Sequence, residues 1–246
     1  MDVSSYVLLS HEQALRRRLD VAANNMANVN TAGFKREQPL FHEYIAESAE
    51  AGETGSETSY VLDYGAIHDT SAGPFQATGN ALDLFIDGPG YFPVEMENGE
   101  TGYTRAGFLK VLENGDLGTA GGAVLLGEGG APINIPEDAA GRVSVTTDGT
   151  VMGPNGPLGR VVVHSFEDEG VLAQRGDGLW TGGEGQELAP EETKIRSGGI
   201  EGSNVQAIVE TADMVEILRS YQASQRMADS LTEMRKRALT KLANVK

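Results

Sequence analysis

Apolar residues recur over the first thirty positions with a helical period. Leu8, Leu15, Ala22 and Val29 stand seven apart, and Leu19 and Met26 fall four beyond Leu15 and Ala22. This spacing draws one stripe down a helix from about Leu8 to Val29, with Arg16, Arg17 and Asp20 on the polar remainder. The C-terminal segment repeats the device. Ala207, Met214, Tyr221, Ala228 and Leu242 share one heptad position, Ile217, Leu231 and Ala238 lie beside them, Leu218 widens the seam, and Arg235 interrupts it. Ser203 followed by Gln206 has the spacing of a capping box just after Gly202. The pattern predicts a helix over about Asn204–Leu242, roughly 55–60 Å long at 1.5 Å per residue. A helix that long and that one-sided needs a partner for its stripe. The N-terminal helix can cover about half of it, which leaves apolar surface for other molecules.

Between these ends the period changes. Short apolar or alternating runs occur at Leu82–Ile86, Tyr91–Met96, Phe108–Leu112, Arg142–Thr146 and Arg160–Phe166. Among them stand Asn98-Gly99, Asn114-Gly115, Asp148-Gly149, Asn155-Gly156 and Asp177-Gly178, dipeptides suited to two-residue hairpin turns. The interior reads as an antiparallel β domain, a partly closed barrel or a sandwich. Residues 46–58 are small, polar and acidic and read as a mobile linker or loop.

Composition sharpens the division. All 32 glycines lie between Gly33 and Gly202, and all 9 prolines between Pro39 and Pro190, so both ends are free of helix breakers. Residues 40–200 carry 7 basic and 26 acidic side chains, a net of −19, whereas 1–39 and 201–246 each carry a net of +1. The total of −17 argues against a nucleic-acid binder, because phosphate contacts demand a basic surface. No apolar run approaches the roughly 20 residues needed to cross a bilayer, so no membrane insertion is expected. The first residues lack a basic n-region, and Glu12 and Arg16-Arg17-Arg18 fall where an apolar stretch would continue, so a cleavable signal is not expected. The absence of cysteine excludes disulfides and thiolate-bound metals.

Catalytic patterns are missing. His11, His42, His68 and His164 have no second ligand at zinc spacing, and His11-Glu12 is followed at position 15 by Leu15. There is no Gly-x-Ser-x-Gly elbow and no phosphate loop. Glu167-Asp168-Glu169 lacks the alternation of a calcium loop, and Gly182–Leu188 is a single imperfect calcium nonapeptide without stacking neighbours. Both read as solvated acidic loops. No cofactor, no metal and no enzymatic activity are expected.

One stretch is chemically unusual. Ala23-Asn24-Asn25-Met26-Ala27-Asn28-Val29-Asn30-Thr31-Ala32-Gly33-Phe34-Lys35 crowds four asparagines at a helix end, where they are costly unless their amides bond backbone or a neighbouring subunit. Gly33 suits a left-handed stop. This stretch resembles the signature of the bacterial flagellar axial proteins, the rod and hook subunits. The resemblance continues in Thr78-Gly79-Asn80-Ala81-Leu82-Asp83-Leu84-Phe85-Ile86-Asp87-Gly88-Pro89-Gly90-Tyr91-Phe92, in Tyr103-Thr104-Arg105-Ala106-Gly107, in Asn114-Gly115-Asp116-Leu117, in Glu201-Gly202-Ser203-Asn204-Val205 and in Arg219-Ser220-Tyr221-Gln222-Ala223. Ala32 stands where the family commonly has proline.

The resemblance implies a mixed α and β fold. Discontinuous N- and C-terminal helices form a coiled-coil-like domain, with a glycine-rich antiparallel all-β domain inserted. The expected divisions are 1–36 (N-terminal helical half), 37–80 (extended linker), 81–200 (β domain) and 201–246 (C-terminal helical half). It further implies a structural subunit of the basal-body rod that self-assembles through its terminal helices into the hollow drive shaft. Chain length and the segment Val124–Pro136 favour a proximal-rod subunit, and a distal-rod subunit is the alternative within the family. From other classes, a secreted β-rich enzyme explains the interior but not the helices, and an adhesin with a helical stalk explains the helices alone. The implied partners are neighbouring rod subunits, surrounding ring proteins and the flagellar type III export apparatus, with the rod in the periplasm. The residues assigned to assembly are Leu8, Leu15, Ala22, Asn24, Asn25, Asn28, Asn30, Gly33, Phe34, Ser203, Asn204, Met214, Leu218, Tyr221 and Leu231.

Overall fold

A computed structural model describes residues 3–47, 57–139, 141–175 and 178–243. Two helices, α1 (Val3–Ala27) and α2 (Ala207–Ala243), carry the two sequence stripes. The rest is antiparallel β structure with three short 3-10 turns among the described residues. The architecture is therefore mixed α and β, with helices at both ends and a β-rich middle. No described helix is long and apolar enough to cross a membrane.

The chain divides into two compact units. The first holds α1, α2 and residues 37–69, and the second holds residues 28–36 and 70–205. In the first unit α1 and α2 run antiparallel: Ser5 meets Arg235, Arg16 meets Tyr221 and Asn25 meets Glu210. The buried face of α2 is marked by Glu210, Ile217 and Ser224, seven residues apart, and that of α1 by Leu15, Val21, Ala22 and Asn25. The interruption expected at Arg235 is filled by a hydrogen bond from its guanidinium to the Ser5 hydroxyl at 2.9 Å.

Residues 37–47 and 57–68 pair as two long antiparallel strands where an extended linker was expected. Strand β1 (Glu37–Glu47) pairs with β2 (Glu57–His68) from Glu37 opposite His68 to Glu47 opposite Glu57. Alternating Leu40, His42, Tyr44 and Tyr60, Leu62, Tyr64 carry strand propensity that the acidic stretch between them hides in any windowed average. Residues 48–56, most of the stretch 46–58 expected as a mobile linker or loop, lie outside the described residues.

The second unit is built on a seven-stranded antiparallel sheet. Its spatial order is Ala173–Gln174, Trp180–Thr181, Thr101–Thr104, Phe92–Glu95, Val124–Leu125, Leu117–Thr119 and Leu109–Val111. A three-stranded sheet (Ser144–Val145, Thr150–Gly153, Gly156–Arg160) and three two-stranded ribbons complete it. Leu84, Phe92, Val94, Leu117, Leu125, Val151, Val161 and Val163 form the centre of one core, while Tyr91, Tyr103, Leu172 and Trp180 form a smaller aromatic one. The run Arg160–Phe166 is not one strand: Arg160 ends one and His164–Ser165 form another.

Three of the Asn-Gly and Asp-Gly turns differ from the expected two-residue form. In Met96–Glu100, Leu112–Asp116 and Thr146–Thr150 the first residue's N–H donates to the fifth residue's carbonyl, and the glycine N–H donates back to the first residue's carbonyl. The Asn or Asp stays at negative φ and its side chain accepts from the N–H two residues on; only the glycine is left-handed. This is the three-residue hairpin with a glycine bulge, and the Asx side chain selects it by capping the turn locally. Asp177 of a further pair lies outside the described residues.

Two of these glycines set up a comparison. Gly99 has φ +77 with nothing within 4 Å of an added Cβ, whereas at Gly149 (φ +86) a Cβ would lie 2.3 Å from the Val161 carbonyl oxygen. Gly99→Ala should cost about 1–2 kcal/mol, the left-handed penalty alone, and Gly149→Ala clearly more. Urea titrations followed by the single, buried Trp180 check the difference; equal costs would contradict it.

Candidate assembly site

The helical seam is an a/d-type stripe. On α2 it runs through Glu210, Met214, Ile217, Tyr221, Ser224, Ala228, Leu231 and Arg235, all buried or half-buried. Leu218 is not part of it. It is 42% exposed while its neighbour Ile217 is 3% exposed, because position 217 falls seven from Glu210 and Ser224 and position 218 is turned about 100° away. Of the α1 residues assigned to packing, Leu15 and Ala22 are buried and Leu8 is half-buried. Tyr221 accepts a hydrogen bond from Arg16 at 3.1 Å, and this contact raises the arginine pKa further.

The asparagines do separate jobs. Asn24 donates to the Glu37 carboxylate at 3.0 Å. Asn25 is buried; its oxygen accepts from the Glu37 N–H at 2.8 Å, and its amide donates to the Glu37 carbonyl at 2.9 Å and to the Glu210 carboxylate at 3.4 Å. Asn28 closes a turn with Thr31 through both its carbonyl and its side chain. Asn30 is exposed. Gly33 is left-handed (φ +69), yet α1 already ends at Ala27, so Gly33 is not the helix stop. It is demanded by close packing instead: a Cβ there would lie 2.6 Å from the Ala106 nitrogen.

Gly33 and Phe34 open the second feature. The Gly33 N–H donates to the Glu201 carbonyl, and the Asn204 N–H donates to the Phe34 carbonyl. The Asn204 side chain accepts from Arg36 N–H at 2.7 Å and donates to the Ser71 carbonyl at 3.1 Å. The buried Ser203 hydroxyl accepts from the Val205 N–H, a local turn that takes the place of the expected capping box, and α2 starts only at Ala207.

Beneath these bonds lie three charges that are almost wholly buried. Lys35 contacts one Glu201 oxygen at 2.8 Å and Arg105 the other at 2.6 Å. The Gly73 N–H also donates to Glu201, at 2.8 Å. The remaining Lys35 protons go to the Thr70 and Ser71 carbonyls, and Arg105 donates to the carbonyls of Gly88 and Gly90. Burial lowers the Lys35 pKa, with Glu201 opposing the shift. Tyr91, lying beside Arg105, donates to Glu169 at 2.9 Å, and burial followed by that carboxylate pushes its phenol far above the usual range. A cavity of about 180 Å³ adjoins the cluster; Lys35 already spends its three donors within the chain, and each guanidinium nitrogen of Arg105 makes a bond there as well. The arrangement holds backbone together. Among the described residues no group of three or more His, Asp or Glu side chains could hold a metal ion.

Three segments of the chain match known families. Residues 6–35 match the family described as flagella basal body rod protein, residues 85–153 the flagellar hook protein FlgE/F/G D1 domain, and residues 196–241 the flagellar basal body rod FlgEFG protein C-terminal family. The flagellar basal-body rod protein FlgF of Caulobacter vibrioides is 35% identical over 246 residues, with all of both chains covered. The chain belongs to the flagellar basal-body rod protein family. The rod protein FlgG of Bacillus subtilis is 31% identical, with 99% of this chain and 98% of that one covered, and FlgF of Rhizobium meliloti is 28% identical with 90% of each covered. Each of the three matched segments supplies one member of the buried cluster: Lys35, Arg105 and Glu201 in turn.

Those three residues, with Asp83 and Glu210, escaped selection as site residues from sequence. Asp83 is buried and accepts from Thr78 at 2.5 Å and Asn80 at 2.9 Å, which explains the Thr-Gly-Asn-x-x-Asp spacing. The available signal was one charged residue inside each otherwise glycine-rich or apolar motif.

Removing Glu201 strands two buried cations. Glu201→Gln should cost about 3–5 kcal/mol, whereas Lys35→Met keeps the Arg105–Glu201 pair and should cost distinctly less. Urea unfolding by Trp180 fluorescence reads both, and a Glu201→Gln variant as stable as wild type would refute the cluster's role.

Proposed function

We propose that this chain is a proximal-rod subunit that polymerises through its terminal helices around the export channel, in a mechanical rather than catalytic role. The observation that carries this reading is the apolar surface of α2 that α1 leaves uncovered. Ile208, Val215, Leu218, Met227, Met234, Leu239 and Leu242 are 42–86% exposed in the single chain. Exposed apolar surface of that extent calls for a protein partner. Repeated head-to-tail contacts between such faces build an open helical tube and not a closed ring. The full-length alignment with FlgF of Caulobacter vibrioides supports the proximal position; the similar identity to FlgG of Bacillus subtilis favours the distal position as the second reading. On the proposed reading the subunit resides in the periplasmic rod and reaches it through the flagellar type III export apparatus. Neighbouring rod subunits are its direct partners and the surrounding rings its outer ones. Leu8, Leu15, Ala22, Met214, Tyr221 and Leu231 act within the helix pair. Asn24, Asn25, Asn28, Gly33, Phe34, Ser203 and Asn204 shape the chain around it, and Asn30 and Leu218 face neighbours.

Leu218 gives the test. In the single chain a charge at this exposed site costs little, but in a packed rod it is buried without a partner at every repeated contact. Leu218→Asp should leave the circular dichroism and thermal melt of the purified chain unchanged yet abolish swimming in a complemented deletion strain. Glu184→Lys, in an exposed acidic loop, should swim normally. Normal swimming with Leu218→Asp would overturn the proposed assembly face.

A further inference from the structure

The exposed apolar residues of α2 are not spread evenly around it. The seam with α1 takes the a and d positions of a heptad: Met214, Tyr221, Ala228 and Arg235 at a, and Glu210, Ile217, Ser224 and Leu231 at d. Positions e and b then lie on one flank of the seam, and g and c on the other. The e/b flank presents Ile208, Thr211, Val215, Leu218, Gln222 and Gln225, all exposed and none charged, before it reaches Asp229 and Lys236. On the g/c flank Val209 is followed at once by Asp213 and Glu216. The uncharged run comes later there, as Ser220, Ala223, Met227, Ser230 and Met234, and it ends at Arg237 and Lys241. Each flank thus offers one apolar patch without charge, at 208–218 and at 227–234. The two patches are displaced along the helix by roughly 25 Å at 1.5 Å per residue.

We infer that these patches pair with each other between copies of this chain. The 208–218 patch of one subunit packs on the 227–234 patch of the next, with the two α2 helices parallel and staggered by roughly 25 Å. Opposite flanks point to a second copy as the occupant. Each contact uses one patch of each partner and leaves the other patch open on the far flank, so association does not stop at two. Charge selects the parallel direction. In that stagger Arg237 and Lys241 come level with the uncharged stretch at Gln222 and Gln225, while Asp213 and Glu216 pass beyond the start of the neighbour's helix at Ala207. No charge is buried, and none meets its like. An antiparallel pairing of the same patches would set Asp213 and Glu216 level with the neighbour's own Asp229, like against like. It would also leave the second pair of patches facing apart, so no closed dimer could satisfy both. This inference rests on the reading that the subunit polymerises through its helices, and it adds which surfaces meet.

The absence of cysteine makes the pairing readable. Leu218→Cys and Met234→Cys are introduced into the full chain, together and singly, in a complemented deletion strain. Basal bodies from swimming cells are then treated with a short thiol-reactive bis-maleimide. The two positions lie on opposite flanks of one helix, so a short link between them joins different subunits. The double variant should give a ladder of multimers. Co-expression of the two single variants should give dimers and nothing larger, and either single variant alone should give none. Dimers from one single variant alone, or a double variant in assembled rods that gives none, would overturn the pairing. Charge rescue reads the same contact without cysteine. Leu218→Lys and Met234→Glu should each abolish swimming, because each buries an unpaired charge at every contact. The chain carrying both should swim again, since the two charges then face each other between subunits. A double variant no better than either single one would equally overturn the pairing, whereas normal swimming of Leu218→Asp would overturn the assembly reading beneath it.

Discussion

The β unit depends on one carboxylate. Glu201 lies within hydrogen-bond distance of Lys35 and Arg105, and all three are almost wholly removed from water. A buried carboxylate with two cations is stable only when every remaining donor and acceptor is met. Here the carbonyls of Thr70 and Ser71 meet the remaining Lys35 donors, those of Gly88 and Gly90 each accept from one terminal nitrogen of Arg105, and the Gly73 N–H turns toward the carboxylate. Segments 33–36, 70–73, 88–90, 105 and 201–204, far apart in sequence, are thereby fixed to one another. The glycines among them follow from the crowding: at Gly33 and Gly73 an added Cβ would strike backbone. The chain enters and leaves the β unit at this cluster, which is why the three family segments each contribute a charge to it.

The helical unit obeys a different rule. Its seam is short of apolar side chains for its length, and Glu210, Ser224 and Arg235 interrupt it. Polar residues in a seam reduce stability but define alignment. The apolar residues that the seam does not use are displayed around the exposed remainder of α2. A helix of 37 residues against one of 25 also leaves the last turns, with Leu239 and Leu242, without a covering helix from α1. Such a unit is built to be completed by others, as befits a member of a rod family.

Much of this was legible in the sequence. Heptad spacing and the confinement of glycine and proline to 33–202 placed both helices to within a few residues, and Asn98-Gly99, Asn114-Gly115 and Asp148-Gly149 marked turns, though of three residues and not two. What failed did so for physical reasons. The capping box at Ser203 looked sound, but Asn204 and Ser203 are engaged by residues 34–36, 71 and 205 and the helix waits until Ala207. Leu218 was expected to widen the seam, but helix geometry turns it away from α1 while Ile217 is buried. The pairing of 37–47 with 57–68 was hidden by the acidic stretch that separates them in sequence. The ionic cluster was invisible because its members are up to 166 residues apart, and local pattern carries no information about pairing at that range.

The central claim is that the outer face of α2 is buried against neighbouring rod subunits. Site-specific photo-crosslinking in motile cells tests it most directly, with a photoreactive amino acid placed singly at Leu218, at Leu239 and, for comparison, at Glu184. The account predicts covalent adducts between this chain and rod subunits from positions 218 and 239, absent from 184. Crosslinks from 184 alone, or none from either helix position in intact basal bodies, would contradict it.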